Sequence, residues 1–232
     1  MLFFGGLEKT TLVDYPGKIA ATVFTLGCNF RCPFCQNPEL VKEDLIKQQP
    51  RISEEEVINF LKERRGLLEG LCLTGGEPLL WNKELREFLK KIKDLGFLIK
   101  LDHNGSFPEE LEDLIDKKLV DYVAMDVKAP KNKYYLLTEQ KNIESKIEKS
   151  INLLKEGKID YEFRTTLAPF LSQDDLQEII NWIKPARAYY LQLFRSEKVL
   201  DQSLKGKKGL EEEEAKKIIE ANRSFFEIFE LR

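Results

Sequence analysis

The 232-residue sequence lacks the features that mark exported, membrane-bound or nucleic-acid-binding proteins. No stretch reaches the roughly 18 apolar residues of a membrane span, and the N-terminus lacks the basic region and long apolar core of a signal peptide. The 37 basic and 40 acidic residues are interspersed, with a net charge of −3, so no basic stripe suits a phosphate backbone. The short clusters KERR (62–65) and KGKK (205–208) lie among acids, as solvated surface does. We expect a cytoplasmic protein that binds neither membrane nor nucleic acid.

Histidine and cysteine are also scarce, with one histidine and four cysteines in the chain. Because cytosolic thiols stay reduced, clustered cysteines indicate metal or redox chemistry rather than disulfides. Cys28, Cys32 and Cys35 form a C-x3-C-x2-C pattern. The fourth, Cys72, lies within a predicted apolar strand, where a free cysteine behaves as a small hydrophobic residue.

Two kinds of metal site fit three clustered thiols. A structural zinc site needs four ligands, and the remaining candidates, Cys72 and His103, lie mid-strand and on another loop. A [4Fe–4S] cluster usually takes four thiolates, so three would leave one iron without a protein ligand. Since an open metal position usually binds a small molecule, the lack of a fourth clustered cysteine indicates that a small molecule binds the open iron.

Strands and helices alternate from residue 18 onward, in about six β-then-α units with no linker between them. Six units are too few for an eight-stranded barrel, so we predict an α/β fold, a partial, open (β/α)6 barrel. We expect a single domain over residues 1–232, with a core at about 18–195, a longer loop at 131–142 and a helical C-terminal segment at about 196–232. The apolar residues predicted to share one face of the last helix are Ala215, Ile218, Ile219, Phe225, Phe226 and Phe229.

Glycine-rich or polar segments follow the predicted strands at the edge where such folds carry their sites. In chain order they are the cysteine segment, TGGEP (74–78), DHNG (102–105), DVK (126–128) and FRTT (163–166). In TGGEP the glycines permit close backbone approach and Glu77 is an anionic acceptor, which suits a ligand's ammonium group. We expect one site assembled from several loops.

Two motifs together resemble the radical S-adenosylmethionine (SAM) superfamily: the three cysteines with aromatic Phe34 before the last one, and Gly75-Gly76-Glu77-Pro78. Over about residues 5–195 the chain is also similar to the activating proteins of anaerobic ribonucleoside-triphosphate reductase and to related glycyl-radical-enzyme activases. The stretches that carry this similarity are TLVDYPGKIAATVFTLGCNFRCPFCQNPEL, LTGGEPLL, LDHNGS, DYVAMDVKAP and FRTTLAP. The chain departs from the family at Gln36, where relatives often carry histidine, and at His103, where threonine is commoner.

The resemblance implies a [4Fe–4S] cluster on three cysteines, with its unique iron bound by the amino and carboxylate groups of SAM. An electron from a flavodoxin- or ferredoxin-type donor would cleave SAM, and the resulting 5′-deoxyadenosyl radical would take a hydrogen atom from a glycine of a partner enzyme. The implied cofactor-binding residues are Gly75, Gly76, Glu77 and Pro78 for the amino group, Phe34 near the adenine through its backbone, Asp102, Asn104, Asp126 and Lys128 on the ribose and methionine side, and Arg164 as a carboxylate partner.

Other functions and other roles for these residues stay open. The runner-up is a small-molecule radical SAM enzyme, such as a synthase that rearranges a pterin ring on a deazapurine path. A third class is a passive electron-transfer or structural iron–sulfur module, against which the GGEP motif argues, because such a module needs no amino-acid anchor. One remaining cysteine cannot build a second cluster, which disfavours branches with auxiliary clusters. Asp126 and Lys128 could also form a surface ion pair, and Arg164 a salt bridge at the barrel rim.

Overall fold

A single mixed sheet organises the computed structural model, which describes residues 2–138 and 140–232. Within that part of the chain the strand order is β3-β1-β2-β4-β5-β6-β7-β8-β9. From β2 through β4 to β9 neighbouring strands run parallel, whereas β1 is antiparallel to both β2 and β3. The strands are β1 (Phe3–Thr11), β2 (Ala20–Thr25), β3 (Ile52–Ser53), β4 (Gly70–Gly75), β5 (Leu98–His103), β6 (Tyr122–Asp126), β7 (Asp160–Thr166), β8 (Ala186–Gln192) and β9 (Phe226–Leu231).

Seven α-helices connect these strands in the described residues. They are α1 (Glu43–Ile46), α2 (Glu54–Glu63), α3 (Asn82–Asp94), α4 (Pro108–Asp116), α5 (Ile143–Lys155), α6 (Gln173–Ile183) and α7 (Glu212–Asn222). Short 3-10 helices cover Pro38–Leu40, Pro78–Trp81, Lys131–Leu136, Gln202–Leu204 and Arg223–Phe225. Ser53 and Ser172 begin α2 and α6 with capping boxes, as their spacing to Glu56 and Asp175 allows. No described helix is long and apolar enough to span a membrane.

The predicted α/β architecture with an open, partial barrel is confirmed. The six predicted strands are β2 and β4 to β8, and β3 and β9 form the two edges of a sheet that does not close on itself. The prediction missed three strands, β1, β3 and β9. It was also wrong for part of 131–142, where Lys131–Leu136 forms a 3-10 helix; residue 139 lies outside the described residues.

The C-terminal segment is not wholly helical, as the sequence pattern had suggested. Helix α7 ends at Asn222, and Phe226–Leu231 forms β9 alongside β8. The rings of Phe226 and Phe229 lie 5.5 and 4.9 Å from the ring of Tyr189 on β8. This packing favours the strand, because aromatic residues fit a half-buried sheet surface well. The predicted helix face that included Phe225, Phe226 and Phe229 is therefore wrong.

The two faces of the sheet differ in chemistry. Alternate residues of each strand point to opposite faces, and one set is apolar and fully buried in the main core, as at Leu101, Val123 and Phe163. The other set carries charge, as at Lys100, which pairs with Asp102 on its own strand, and at Arg164, which pairs with Asp102 on another strand. The concave inner face of the open barrel is therefore polar, and it leads to the carboxyl ends of the parallel strands.

Candidate cofactor site at the carboxyl edge of the sheet

A cavity of about 400 Å³ opens at the carboxyl ends of the strands. It brings together all of the predicted site residues except Glu77 and Pro78. Those on its wall are Cys28, Cys32, Phe34, Cys35, Gly75, Gly76, Asp102, Asn104, Asp126, Lys128 and Arg164. Residues that the sequence analysis did not single out line it too, among them Asp14, Thr22, Phe24, Thr166 and Gln192.

The cysteine loop (residues 27–36) follows β2 directly. Cys32 is buried, Cys28 and Cys35 are half-buried, and all three are free thiols. The N–H of Cys35 donates to the carbonyl of Cys32 at 3.0 Å, which turns the chain so that all three thiols face one cavity. Burial raises the pKa of Cys28 to about 11 and of Cys32 to about 12. Phe34, also in this loop, packs its ring 5.6 Å from that of Phe170.

Three thiols on one cavity wall are the donor set that an iron–sulfur cluster takes from proteins. Metal binding would release the thiol protons, since thiolate is the ligand form. Across residues 2–138 and 140–232, no group of three or more His, Cys, Asp or Glu side chains is arranged to hold a metal ion. The fit of the cysteine loop to a cluster therefore rests on its donor chemistry and on the backbone cradle beside it.

The GGEP loop (residues 75–78) packs against the start of the cysteine loop through main-chain hydrogen bonds. The N–H of Gly76 donates to the carbonyl of Thr25 at 2.9 Å, and the N–H of Glu77 donates to the carbonyl of Gly27 at 2.8 Å. A Cβ atom at Gly76 would lie 1.9 Å from the carbonyl oxygen of Gly27. Gly75 has φ of +116°, which only glycine adopts without strain. The glycines leave a bare main-chain surface on the cavity wall.

Glu77 lies behind this surface. Its carboxylate is fully buried and accepts hydrogen bonds from the N–H groups of Leu79 at 3.0 Å and Asn104 at 2.7 Å. Burial raises the pKa of the Glu77 carboxyl to about 7. Pro78, buried as well, begins a 3-10 helix. In this structure Glu77 braces the GGEP loop against the loop after β5, and the glycines provide the surface that faces the cavity.

Charged side chains from β5, β6, β7 and the segment just after β6 form what we term the charged ladder: Lys100, Asp102, Asp126, Lys128 and Arg164. Nε of Arg164 donates to Asp126 and Nη1 to Asp102, each at 2.8 Å. Lys128 pairs with Asp126 at 2.8 Å, and Lys100 contacts Asp102. The sequence analysis left a surface ion pair open for Asp126 and Lys128; the pair exists, but on the cavity wall. Arg164 is held by two carboxylates of its own chain.

The ladder keeps its carboxyl groups ionised. Burial would raise the pKa of Asp126, but Arg164 and Lys128 outweigh burial and hold it well below its ordinary value. The pKa of Asp102 is lowered in the same way, against burial, by Arg164 and Lys100. A ligand that enters the cavity therefore meets fixed charges of both signs on this wall.

A network of amides ties the cysteine loop to the loop after β5. Nδ2 of Asn104 donates to Oδ1 of Asn29 at 2.9 Å, and Asn29 in turn donates to Ser106 at 2.8 Å. Oδ1 of the Asn104 side chain accepts from the N–H and hydroxyl of Ser106 at 3.0 and 2.6 Å. Asn104 thus has a structural task beside any contact with a ligand. The sequence analysis missed Asn29 and Ser106, which no motif distinguishes.

His103, singled out in the sequence as the one histidine, is buried beside the cavity. Its Nδ1 accepts from the N–H of Gly105 at 3.1 Å, which leaves the ring proton on Nε2, and Nε2 has no hydrogen-bond partner among the described residues. Burial lowers the pKa of His103 to about 4, so the ring is neutral near neutral pH.

Two further residues on the inner face of the sheet, Cys72 and Glu162, have polar contacts. Cys72 is buried as expected, but its Sγ lies 4.0 Å from Nζ of Lys100 and 3.8 Å from Asp102, so its surroundings are polar. Fully buried Glu162 accepts from both Nη atoms of Arg232 at 3.1 and 3.3 Å. The alternation of charged and apolar residues in IKLDH and YEFRTT is the sequence signal that could have revealed this polar face.

Comparison with known proteins agrees with this geometry. The family model described as Radical SAM superfamily matches residues 22–183. A Methanocaldococcus jannaschii protein with the provisional name glycyl-radical enzyme activating enzyme is 32% identical over 205 residues, which cover 86% of this chain and 83% of that protein. The 7-carboxy-7-deazaguanine synthase of Methanopyrus kandleri is 32% identical over 133 residues, 50% of this chain and 52% of that protein.

A solved structure is similar in fold. Streptococcus suis SuiB bound to S-adenosylmethionine superposes with a TM-score of 0.64 at 11% identity, covering 89% of this chain and 48% of the SuiB chain, so this chain spans about half of SuiB. The chain belongs to the radical SAM superfamily. It is a radical SAM enzyme, and its cofactors are the [4Fe–4S] cluster and S-adenosylmethionine of that superfamily.

Proposed function

We propose that this radical SAM enzyme is a glycyl-radical-enzyme activase and that its partner is an anaerobic ribonucleoside-triphosphate reductase. The main support is the length of the similarity. The relative named for glycyl-radical enzyme activation aligns with 86% of the chain, whereas the deazaguanine synthase aligns with 50% of it. The unclosed sheet also supports the proposal, because β3 and β9 are not paired with each other and an open barrel can admit a segment of a protein from the side.

In this proposal the chain's own residues bind and orient the cofactors. Cys28, Cys32 and Cys35 hold the cluster, and the bare main chain at Gly75 and Gly76 receives the amino group of SAM. When bound, the cluster supplies the electron that splits SAM into methionine and a 5′-deoxyadenosyl radical, which takes a hydrogen atom from a glycine of the partner.

The remaining predicted residues act around this centre. Asp102, Asp126 and Lys128 face the ribose and methionine groups, and Arg164 fixes the two carboxylates and offers its remaining N–H groups to the SAM carboxylate. Asn104 holds the neighbouring loop in place, Glu77 and Pro78 support the glycines from behind, and the Phe34 backbone lies near the adenine.

We further propose that residues 1–232 act as one domain in the cytoplasm, with a flavodoxin- or ferredoxin-type protein as electron donor. The sheet supports the first point, since β9 from the C-terminal segment extends the same sheet as the core at about 18–195. The four free cysteines support a reducing compartment.

The test combines SAM cleavage with detection of a protein radical. The anaerobically reconstituted, reduced enzyme should release 5′-deoxyadenosine, and mixing it with the anaerobic ribonucleotide reductase of the same organism should give a doublet in electron paramagnetic resonance. A doublet that forms only with another glycyl radical enzyme would reassign the partner. Turnover that requires a small molecule and no protein would instead establish the alternative, a deazapurine-type synthase, for which the M. kandleri relative argues.

A further inference from the structure

The segment between β8 and α7 is anchored on the cysteine loop. We name residues 193–211 the basic loop. The N–H of Asp201 donates to the carbonyl of Pro33 at 2.9 Å, and Nε2 of Gln36 donates to the carbonyl of Arg195 at 3.3 Å. These two contacts fall on either side of Cys35. The basic loop therefore lies directly against the chain that carries the predicted cluster ligands.

Cations predominate on the exposed surface of this loop. It carries Glu197, Asp201 and Glu211 against five exposed cations, Arg195, Lys198, Lys205, Lys207 and Lys208. Lys198 pairs with Glu39 at 2.6 Å and Lys208 with Glu211 at 3.1 Å. No ion pair engages the other three cations within the described residues. A local excess of positive charge thus borders the cysteine loop of a chain whose net charge is −3.

The positive charge reaches the anchor point itself. The pKa of the Asp201 carboxyl is lowered, first by the backbone N–H and hydroxyl of Ser203 and then by Lys207 and Lys42. The field of both ammonium groups therefore acts on the residue that is hydrogen-bonded to Pro33.

We propose that the basic loop is the docking surface for the electron donor, a small redox protein with an acidic face around its flavin or iron–sulfur group. The inference rests on the proposed function, in which one electron leaves the donor and enters the cluster with no bond formed or broken. Such complexes have small, transient interfaces that depend on electrostatic steering. The donor must approach the cysteine loop from outside the cavity, because SAM and the partner enzyme occupy the inside.

Charge reversal provides the test. In the double variant Lys205→Glu, Lys207→Glu, the KM for reduced flavodoxin and its dissociation constant from the reconstituted enzyme should both rise about tenfold at low salt. The matched control is Lys90→Glu, Lys146→Glu, which makes the same change of net charge on the exposed surfaces of α3 and α5 and should stay within about twofold of wild type. The difference between the two variants should shrink as salt is raised.

A chemical reductant separates this proposal from the function on which it rests. With dithionite, both variants should cleave SAM at the wild-type rate, because no docking is needed. Failure of the wild-type enzyme with dithionite would reject the proposed function, whereas the binding measurement reports on the surface by itself. Equal flavodoxin binding by the two variants, or a loss of partner radical formation with dithionite in the Lys205, Lys207 variant alone, would overturn the docking assignment; the second result would assign the loop to the partner enzyme.

Discussion

The two walls of the cavity are built in different ways. On one wall the cysteine loop and the GGEP loop meet through main-chain atoms, with the N–H of Glu77 bonded to the carbonyl of Gly27. On the other, the charged ladder joins β5, β6 and β7 through side chains, with Arg164 between Asp102 and Asp126. We call the first of these the main-chain wall. Both walls place polar groups around one cavity, but they differ in which substitutions would disrupt them.

The two walls differ in whether other contacts remain when one is lost. The main-chain wall has no spare room, since a single methyl group at Gly76 would collide with a carbonyl oxygen. In the ladder each carboxylate has two cationic partners, because Asp102 also contacts Lys100 and Asp126 also pairs with Lys128. We therefore expect steep losses from small changes on the first wall and graded losses on the second.

The largest loss should follow from Cys32→Ala, on the main-chain wall. Removal of one of the three proposed thiol ligands should abolish cluster binding and, with it, SAM cleavage. Iron and sulfide content and 5′-deoxyadenosine release after anaerobic reconstitution measure both effects. Cys72→Ala is the matched control, because it removes a buried thiol from the inner face without touching the cysteine loop. An iron-loaded, active Cys32→Ala enzyme would refute the ligand assignment.

Gly76→Ala should come next, with SAM cleavage reduced about 100-fold, because the added methyl group forces the two loops apart. Overpacking should also cost about 1–3 kcal/mol of stability, which denaturant unfolding would measure. Gly66→Ala is the control: its Cβ would meet nothing within 4 Å, although φ is +81°, so about 1 kcal/mol of strain without loss of activity is expected. Equal activity losses in the two variants would show that collision at Gly76 is not the cause.

Arg164→Met should have a smaller effect. It leaves Asp102 and Asp126 with one cation each, so we expect a cost of about 2–4 kcal/mol, at or below that of breaking a buried pair outright. SAM cleavage should fall about tenfold as the two carboxylates lose their common partner. Arg164→Lys should lie between this variant and wild type, because one ammonium group cannot reproduce the fork of a guanidinium. An activity loss as steep as that of Gly76→Ala would remove the contrast between the walls.

The smallest effect should come from Arg232→Met, at the outer end of the inner face. Arg232 pairs with Glu162 and lies over the ring of Tyr190, but its side chain is 37% exposed. Glu162 stays buried but keeps the Tyr122 hydroxyl as a donor, so we expect a loss of about 1–3 kcal/mol, and SAM cleavage should stay within about twofold of wild type. Double-mutant analysis with Arg164→Met would detect coupling through Glu162, which lies 3.9 Å from Arg164. Strong coupling would make the ladder one network that extends to β9.

The sequence predicted the main-chain wall better than the ladder. Motif spacing placed the cysteines and the glycines at strand ends, because buried parallel strands appear as continuous apolar runs. The direction of the Glu77 carboxylate depends on the fold of two loops, so the motif could not show that it points away from the cavity. The position of Arg164 required the register between β6 and β7, which pairs Asp126 with Arg164 and is set by tertiary structure.

The strand β9 illustrates the same limit in the fold. In FEIFEL the two phenylalanines are three residues apart, a spacing that also fits a helix face. Only the neighbouring strand decides between the two, since β8 supplies both the backbone partners and Tyr189 for the aromatic contacts.

The hydrogen bond that joins the two loops, from the N–H of Glu77 to the carbonyl of Gly27, affects which substitutions the protein can tolerate. Peptide groups are common to all residues, so this bond tolerates replacement of neighbouring side chains, except at Gly76, where an added Cβ would collide with the Gly27 carbonyl. The segment proposed to bind the cluster and the segment proposed to bind the amino group of SAM are consequently held together by their main chains. Loss of the cluster from the cysteine loop should therefore also weaken ligand binding at the GGEP loop. We expect the cluster-free protein to bind SAM poorly even though its other proposed SAM-binding residues are unchanged.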